Sequence, residues 1–174
     1  MDYLIIDGYN VIGSWPNLKP LAKNALGDAR HKLVEILLEY QAFTDLHIII
    51  VFDAYRSKGK KKVEHRSGIE IRYTDYGQTA DSLIESLVST LSQQNRNKVG
   101  VVTSDWAQQQ IVLGKGARRW SSREFYLEVN RVIGNISAAA GKTLMDKPTT
   151  AFANRLKDSH RKHLEKIRND DEQP

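Results

Sequence analysis

Cysteine is absent from this chain of 174 residues. That removes disulfides, thiolate metal sites and cysteine nucleophiles together, and it fits a reducing compartment. Long apolar runs are missing too. The opening MDYLIIDGYN has four apolar residues in a row before Asp7 interrupts them, whereas a membrane span needs roughly 20. It also lacks the basic leader of an export signal. A protein of the cytoplasm with no membrane contact is expected. The five histidines show no zinc-ligand spacing. His160 and His163, three residues apart in a basic stretch, suit RNA better than zinc. Internal repeats and low-complexity tracts are not found.

What is present fits one domain with a real core. Hydrophobic residues make up 40% of the chain and charged residues 27%, which argues against both disorder and a fibre. The net charge of +5 is unevenly spread. Arg56, Lys58, Lys60, Lys61, Lys62 and Arg66 crowd one stretch between apolar segments. Arg155, Lys157, Arg161, Lys162, Lys166 and Arg168 occupy the C-terminal part. Such clusters suit a polyanion such as nucleic acid, the duller explanation being a solubilising surface.

The chain alternates strand-like and helix-like segments. YLIID (Tyr3 to Asp7) is a short continuous apolar run ending in a polar turn, DGYN. HIIIVFDAY (His47 to Tyr55) and KVGVVTSD (Lys98 to Asp105) repeat the pattern, and such runs fit strands buried on both faces of a parallel sheet. IEIRYTD (Ile69 to Asp75) alternates, as a less buried strand would. Helical spacing runs from about Gly27 to Phe43, through Leu33, Ile36, Leu37 and Tyr40, and again from Thr79 to Ser92. A short helix is expected from Trp106 to Leu113, an edge strand at ARRWS, and a helix from Ser122 to about Ala140. These βαβ units predict an α/β fold, a mainly parallel sheet with helices on both faces. The domain is set at 1–146, followed by a basic, helical segment at 147–174.

Three of the apolar runs close on an aspartate, Asp7, Asp53 and Asp105, and Asp81 sits near a helix start. In an open parallel sheet, ligands bind outside the carboxyl ends of the strands, so distant segments can deliver carboxylates to one place. Clustered carboxylates repel unless a cation neutralises them. An oxygen-only set suits Mg²⁺, with Mn²⁺ as the substitute, and such ions serve phosphodiester hydrolysis. Each aspartate has a plainer role available: Asp7-Gly8 as a turn pair, Asp81 near the positive end of a helix, Asp105 as a cap for the helix at Trp106. Their joint placement favours a metal site. Among the tryptophans, Trp15 has the best claim to an exposed, base-stacking position, while Trp106 and Trp120 are expected to pack helices on the sheet.

In this order, LIIDGYNVIG, VFDAY, TADSLIE and VVTSD resemble the NYN branch of PIN-like nucleases, in particular the bacterial YacP group. The resemblance covers roughly residues 1–145. It implies a PIN-like three-layer sandwich, Mg²⁺ or Mn²⁺ dependence and endoribonuclease activity, with no small-molecule cofactor. Asp7, Asp81 and Asp105 match the catalytic, metal-holding positions. Asn10 matches a polar support, Asp53 an acidic position acting through water, and Glu85 lies one helical turn after Asp81. Ser104, beside Asp105, belongs to the same supporting set. The resemblance further implies mRNA as substrate and the ribosome as partner. The basic stretch at residues 56–66 would then hold RNA or ribosome, with Tyr55 placed to stack on a base. Other readings are an RNA- or ribosome-binding module that does not cut, a DNA nuclease, and an Asp-nucleophile phosphatase. The last needs an aspartate two positions after the first, and Asp7-Gly8-Tyr9 lacks it.

Overall fold

The computed structural model describes residues 2–53, 63–95 and 98–145. The chain divides into two units, Met1–Gly134 and Asn135–Pro174. In chain order the elements are β1 (Tyr3–Asp7), α1 (Gly8–Ser14), α2 (Lys19–Asn24), α3 (Leu26–Gln41), β2 (His47–Phe52), β3 (Val63–Arg66), β4 (Ile69–Tyr73), α4 (Ala80–Asn95), β5 (Val99–Val102), α5 (Trp106–Gly114), β6 (Arg118–Trp120) and α6 (Ser122–Met145).

Six strands form one sheet in the order β3-β4-β2-β1-β5-β6. All neighbours are parallel except the β3–β4 pair at one edge. The continuous apolar runs are buried on both faces, because successive side chains point to opposite sides. In β1, Leu4 and Ile6 join one cluster with Leu33, Leu37 and Phe125. Ile5 joins the other, with Ile84, Val88 and Val112. Thus α1, α3 and the part of α6 up to Gly134 cover one face while α4 and α5 cover the other, the expected three layers. The chain builds outward from β1 to β2 and β4, then returns across α4 to β5 on the other side of β1. That reversal puts a crevice at the carboxyl end of β1.

Three local readings change. DGYN is no polar turn: Gly8 is buried and starts α1, with Asp7 as its N-cap. The helix can begin there because a glycine lets the backbone lie against Phe52; a Cβ at Gly8 would overlap the carbons of that buried ring. The basic stretch is also not all loop. Residues Val63–Arg66 form β3 and hairpin onto β4 through Ser67 and Gly68, both with positive φ, 46° and 96°. Two central residues of that hand match the twist of a tight hairpin. Finally, α2 adds a short helix ahead of α3. The expected edge strand at Arg118–Trp120 and the alternating burial of β4 are both observed.

Candidate active site

The carboxyl end of β1 opens into a cleft of about 360 Å³ lined by Asp7, Tyr9, Asn10, Asp53, Thr79, Ala80 and Asp81. Separate elements supply these groups. Asp7 ends β1, Asp53 follows β2, and Asp81 occupies the first turn of α4. Thr79 starts that helix: its hydroxyl accepts the Ser82 N–H at 3.2 Å, and Ser82 Oγ donates to the Thr79 carbonyl at 2.9 Å. This local cap turns the first turn of α4, and Asp81 with it, to the cleft.

Asp7 and Asp105 each cap the helix that follows them. Asp7 Oδ1 accepts the Asn10 N–H at 3.1 Å, and Asp105 Oδ1 accepts the Gln108 N–H at 2.9 Å, so each caps its helix. A carboxylate has two oxygens and about four lone-pair sites, so capping leaves acceptor capacity. Electrostatics tie the three acids together. Burial pushes the Asp7 carboxyl up to about 6 from its ordinary 3.8, with Asp81 and Asp105 adding to the rise and the Asn10 and Tyr9 N–H groups opposing it. Asp81 is also raised, by burial and then by Asp105 and Glu85. Among the described residues, no three His, Asp or Glu side chains stand close enough to chelate one ion by themselves. Such a spread set still fits Mg²⁺, which keeps several of its waters and is held directly by one or two carboxylates.

The supporting residues have separate roles. Asn10 Oδ1 accepts two hydrogen bonds, from the Ser104 N–H at 2.8 Å and from Ser122 Oγ at 2.7 Å. Ser104 Oγ in turn accepts the Ser122 N–H at 3.1 Å. Together these bonds tie α1 to the Asp105 loop and to the start of α6. Thr74 Oγ1 lies 3.5 Å from Asp53 Oδ1. Glu85 turns from the cleft to Lys115, 3.3 Å away, although its charge still reaches Asp81.

Two tryptophan readings are reversed. Trp15 is buried, its Nε1 donating to the Ser122 carbonyl at 2.9 Å and its ring packed edge-on against Tyr126. A partner for the indole N–H let the whole ring go inside. Trp106 is instead 73% exposed. Trp120 packs against the core as expected. The aspartate pattern does not single out Tyr9, although it stands in DGYN: its hydroxyl accepts from Arg30 at 2.8 Å and its ring packs on Phe52. Its place two residues after Asp7, in the first turn of a helix, is the signal the sequence offers. Arg56, Lys58, Lys60, Lys61, Lys62 and Tyr55 lie outside the described residues, as does the C-terminal basic set. Arg66 is described, an exposed β3 residue with Glu64 3.9 Å away.

The match to known proteins covers nearly the whole chain. The model of the YacP-like NYN domain spans residues 4–169. The chain belongs to this YacP-like NYN family. Protein YacP of Bacillus subtilis (strain 168) is 37% identical over 171 residues, covering 98% of this chain and 99% of that protein. The crystal structure of Rae1 (YacP) from Bacillus subtilis matches with a TM-score of 0.74 and 37% identity, over 98% of this chain and 97% of the other. A mutant of the same protein matches with a TM-score of 0.73 and 35% identity, over 85% of this chain and 87% of that one. The NYN domain is a PIN-like nuclease fold, and the parallel sheet seen here is its architecture. No helix among the described residues is long and apolar enough to cross a membrane.

Proposed function

We propose that this protein is a metal-dependent endoribonuclease, acting on mRNA in the cytoplasm and engaged with the ribosome. The observation that carries it is the meeting of Asp7, Asp53 and Asp81 in one cleft at the carboxyl end of β1 in a nuclease-family fold, with the Asp7 carboxyl pushed up to about 6 by burial and by its acidic neighbours. A carboxylate kept this costly to ionise is better explained by a cation than by capping alone, since a cap needs no second and third acid.

Asp7, Asp81 and Asp105 would hold Mg²⁺ or Mn²⁺ between them, one or two of them directly and the rest through its waters, as Asp53 would. Such an ion supplies positive charge for activating a water and for stabilising the leaving oxygen of a phosphodiester. The chain's own residues prepare the place. Burial of Asp7 keeps bulk water from screening its charge. The Asn10, Ser104 and Ser122 bonds hold the loop that carries Asp105, so the carboxylates keep their relative positions. The basic residues of segment 56–66 would hold the RNA backbone through phosphates, which gives affinity without sequence choice. A small domain has little surface for selecting a sequence, and a large partner that positions the strand supplies what is missing.

The test is one mRNA, free or engaged by ribosomes, incubated with the purified protein in Mg²⁺ or EDTA. Cleavage that needs the metal, is faster on ribosomes and disappears in Asp81→Asn is expected. Full activity of folded Asp81→Asn would remove the carboxylate site. Equal rates on free and engaged mRNA would remove the ribosome.

A further inference from the structure

Single exposed apolar side chains need no explanation, but two large exposed aromatic rings that follow the carboxyl ends of strands in one sheet do. Tyr76 is fully exposed in the loop joining β4 to α4, between Asp75 and the Thr79 cap. Trp106 directly follows Asp105 and opens α5, 73% exposed. By contrast Tyr9, Phe52 and Tyr73 pack on one another at centroid distances of 5.0 and 5.8 Å. Neither Tyr76 nor Trp106 stacks on another ring among the described residues.

The topology sets the spacing of the strand ends that carry them. Both rings stand at the carboxyl ends of strands, one beyond β4 and one beyond β5. The order β4-β2-β1-β5 puts three strand spacings between those two strand ends, roughly 14 Å at about 4.8 Å each. Asp53 and Asp7 lie in that interval. At about 3.4 Å per stacked nucleotide it spans about four.

We infer that Tyr76 and Trp106 are base-stacking platforms on opposite sides of the cleft, taking unpaired bases of a single-stranded RNA whose phosphates cross the carboxylates between them. This rests on the ribonuclease reading and adds the two rings that hold the strand. An RNA strand fits better than a protein partner. A protein face bridging both rings would have to desolvate the acids at its centre, and interface cores are depleted of charge. A nucleic-acid strand instead leaves its backbone over the cleft and turns its bases aside. Every base has a π-face, so two aromatic platforms hold a strand without choosing its sequence. A duplex keeps those faces stacked internally and offers neither ring a partner.

The experiment titrates a short labelled oligouridylate with full-length protein in EDTA, where nothing is cut, using Tyr76→Ala, Trp106→Ala and Trp106→Phe. Each alanine variant should bind about 5- to 150-fold more weakly. Its slope of log affinity against log salt should stay at the wild-type value, since every phosphate remains neutralised by the same cations. Trp106→Phe should keep most of the affinity, and binding of an RNA duplex should not change. Alanine variants that bind the oligouridylate as wild type does would overturn the inference. So would a weakened variant with a shallower salt slope, an equal loss on the duplex, or a loss seen only in ribosome binding. Cleavage of mRNA by the wild-type protein in Mg²⁺ is scored separately. Cutting together with unaltered variant binding overturns the platforms alone, while weakened variant binding without cutting overturns the nuclease alone.

Discussion

Replacing Asp7 with asparagine should make the metal-free protein more stable at pH 8, although it removes a charged group from the centre of the site. The Asp7 carboxyl is raised from 3.8 to about 6, first by burial and then by Asp81 and Asp105. A raised folded-state pKa means that the folded protein holds the proton more tightly than the unfolded chain. The stability this confers is fully present below 3.8 and is lost as pH rises through about 6. At about 1.36 kcal/mol per pKa unit, ionised Asp7 costs the folded state about 3 kcal/mol at pH 8. Asparagine keeps the acceptor that caps α1 through the Asn10 N–H and carries no charge. The variant should therefore gain up to about 3 kcal/mol in EDTA, or roughly 6–12 °C in Tm for a domain of this size. At pH 5 the wild type recovers about half of that penalty by protonation, so the gap should narrow to about 1.5 kcal/mol. Urea denaturation at the two pH values measures both. A variant no more stable than wild type at pH 8, or a gap that does not narrow by pH 5, would refute the argument. Mg²⁺ should raise the stability of wild type and leave Asp7→Asn nearly unmoved, because only binding to the folded state adds stability.

Gly8→Ala should cost about 1–3 kcal/mol through overpacking, since its Cβ meets a Phe52 ring already fixed between Tyr9 and Tyr73. Helix propensity returns about 1 kcal/mol of this at most. A urea midpoint at or above that of wild type would show that the close approach is not needed. Replacing Lys60, Lys61 and Lys62 together with alanine should weaken RNA binding and shallow the slope of log affinity against log salt by roughly 0.7–0.9 for each phosphate no longer neutralised. Affinity and slope both at wild-type values would make these lysines solubilising only.

The sequence by itself determined the layers and the acids. Runs such as YLIID and KVGVV are apolar without alternation, and only a sheet covered on both faces buries such runs, so the parallel core followed from local pattern. Asp7, Asp53 and Asp105 close such runs and Asp81 opens a helix, so their convergence at one side of the sheet was expected from the sequence; the cleft brings together Asp7, Asp53 and Asp81. What the pattern could not decide was anything set by a distant partner. Trp15 goes inside because the Ser122 carbonyl, 107 residues later, takes its N–H, whereas Trp106 finds no such place and stays in solvent. Gly8 reads as a turn residue until Phe52 is packed against it. Glu85 shares a helix face with Asp81, yet Lys115, 30 residues on, draws its carboxylate away. Asn10 was legible as polar support, but its bonds to Ser104 and Ser122 exist only once α1, β5 and α6 meet. Periodicity records which face is apolar. Which polar atom answers another across that face is settled by tertiary packing, because a buried donor or acceptor must find its partner wherever the chain brings one.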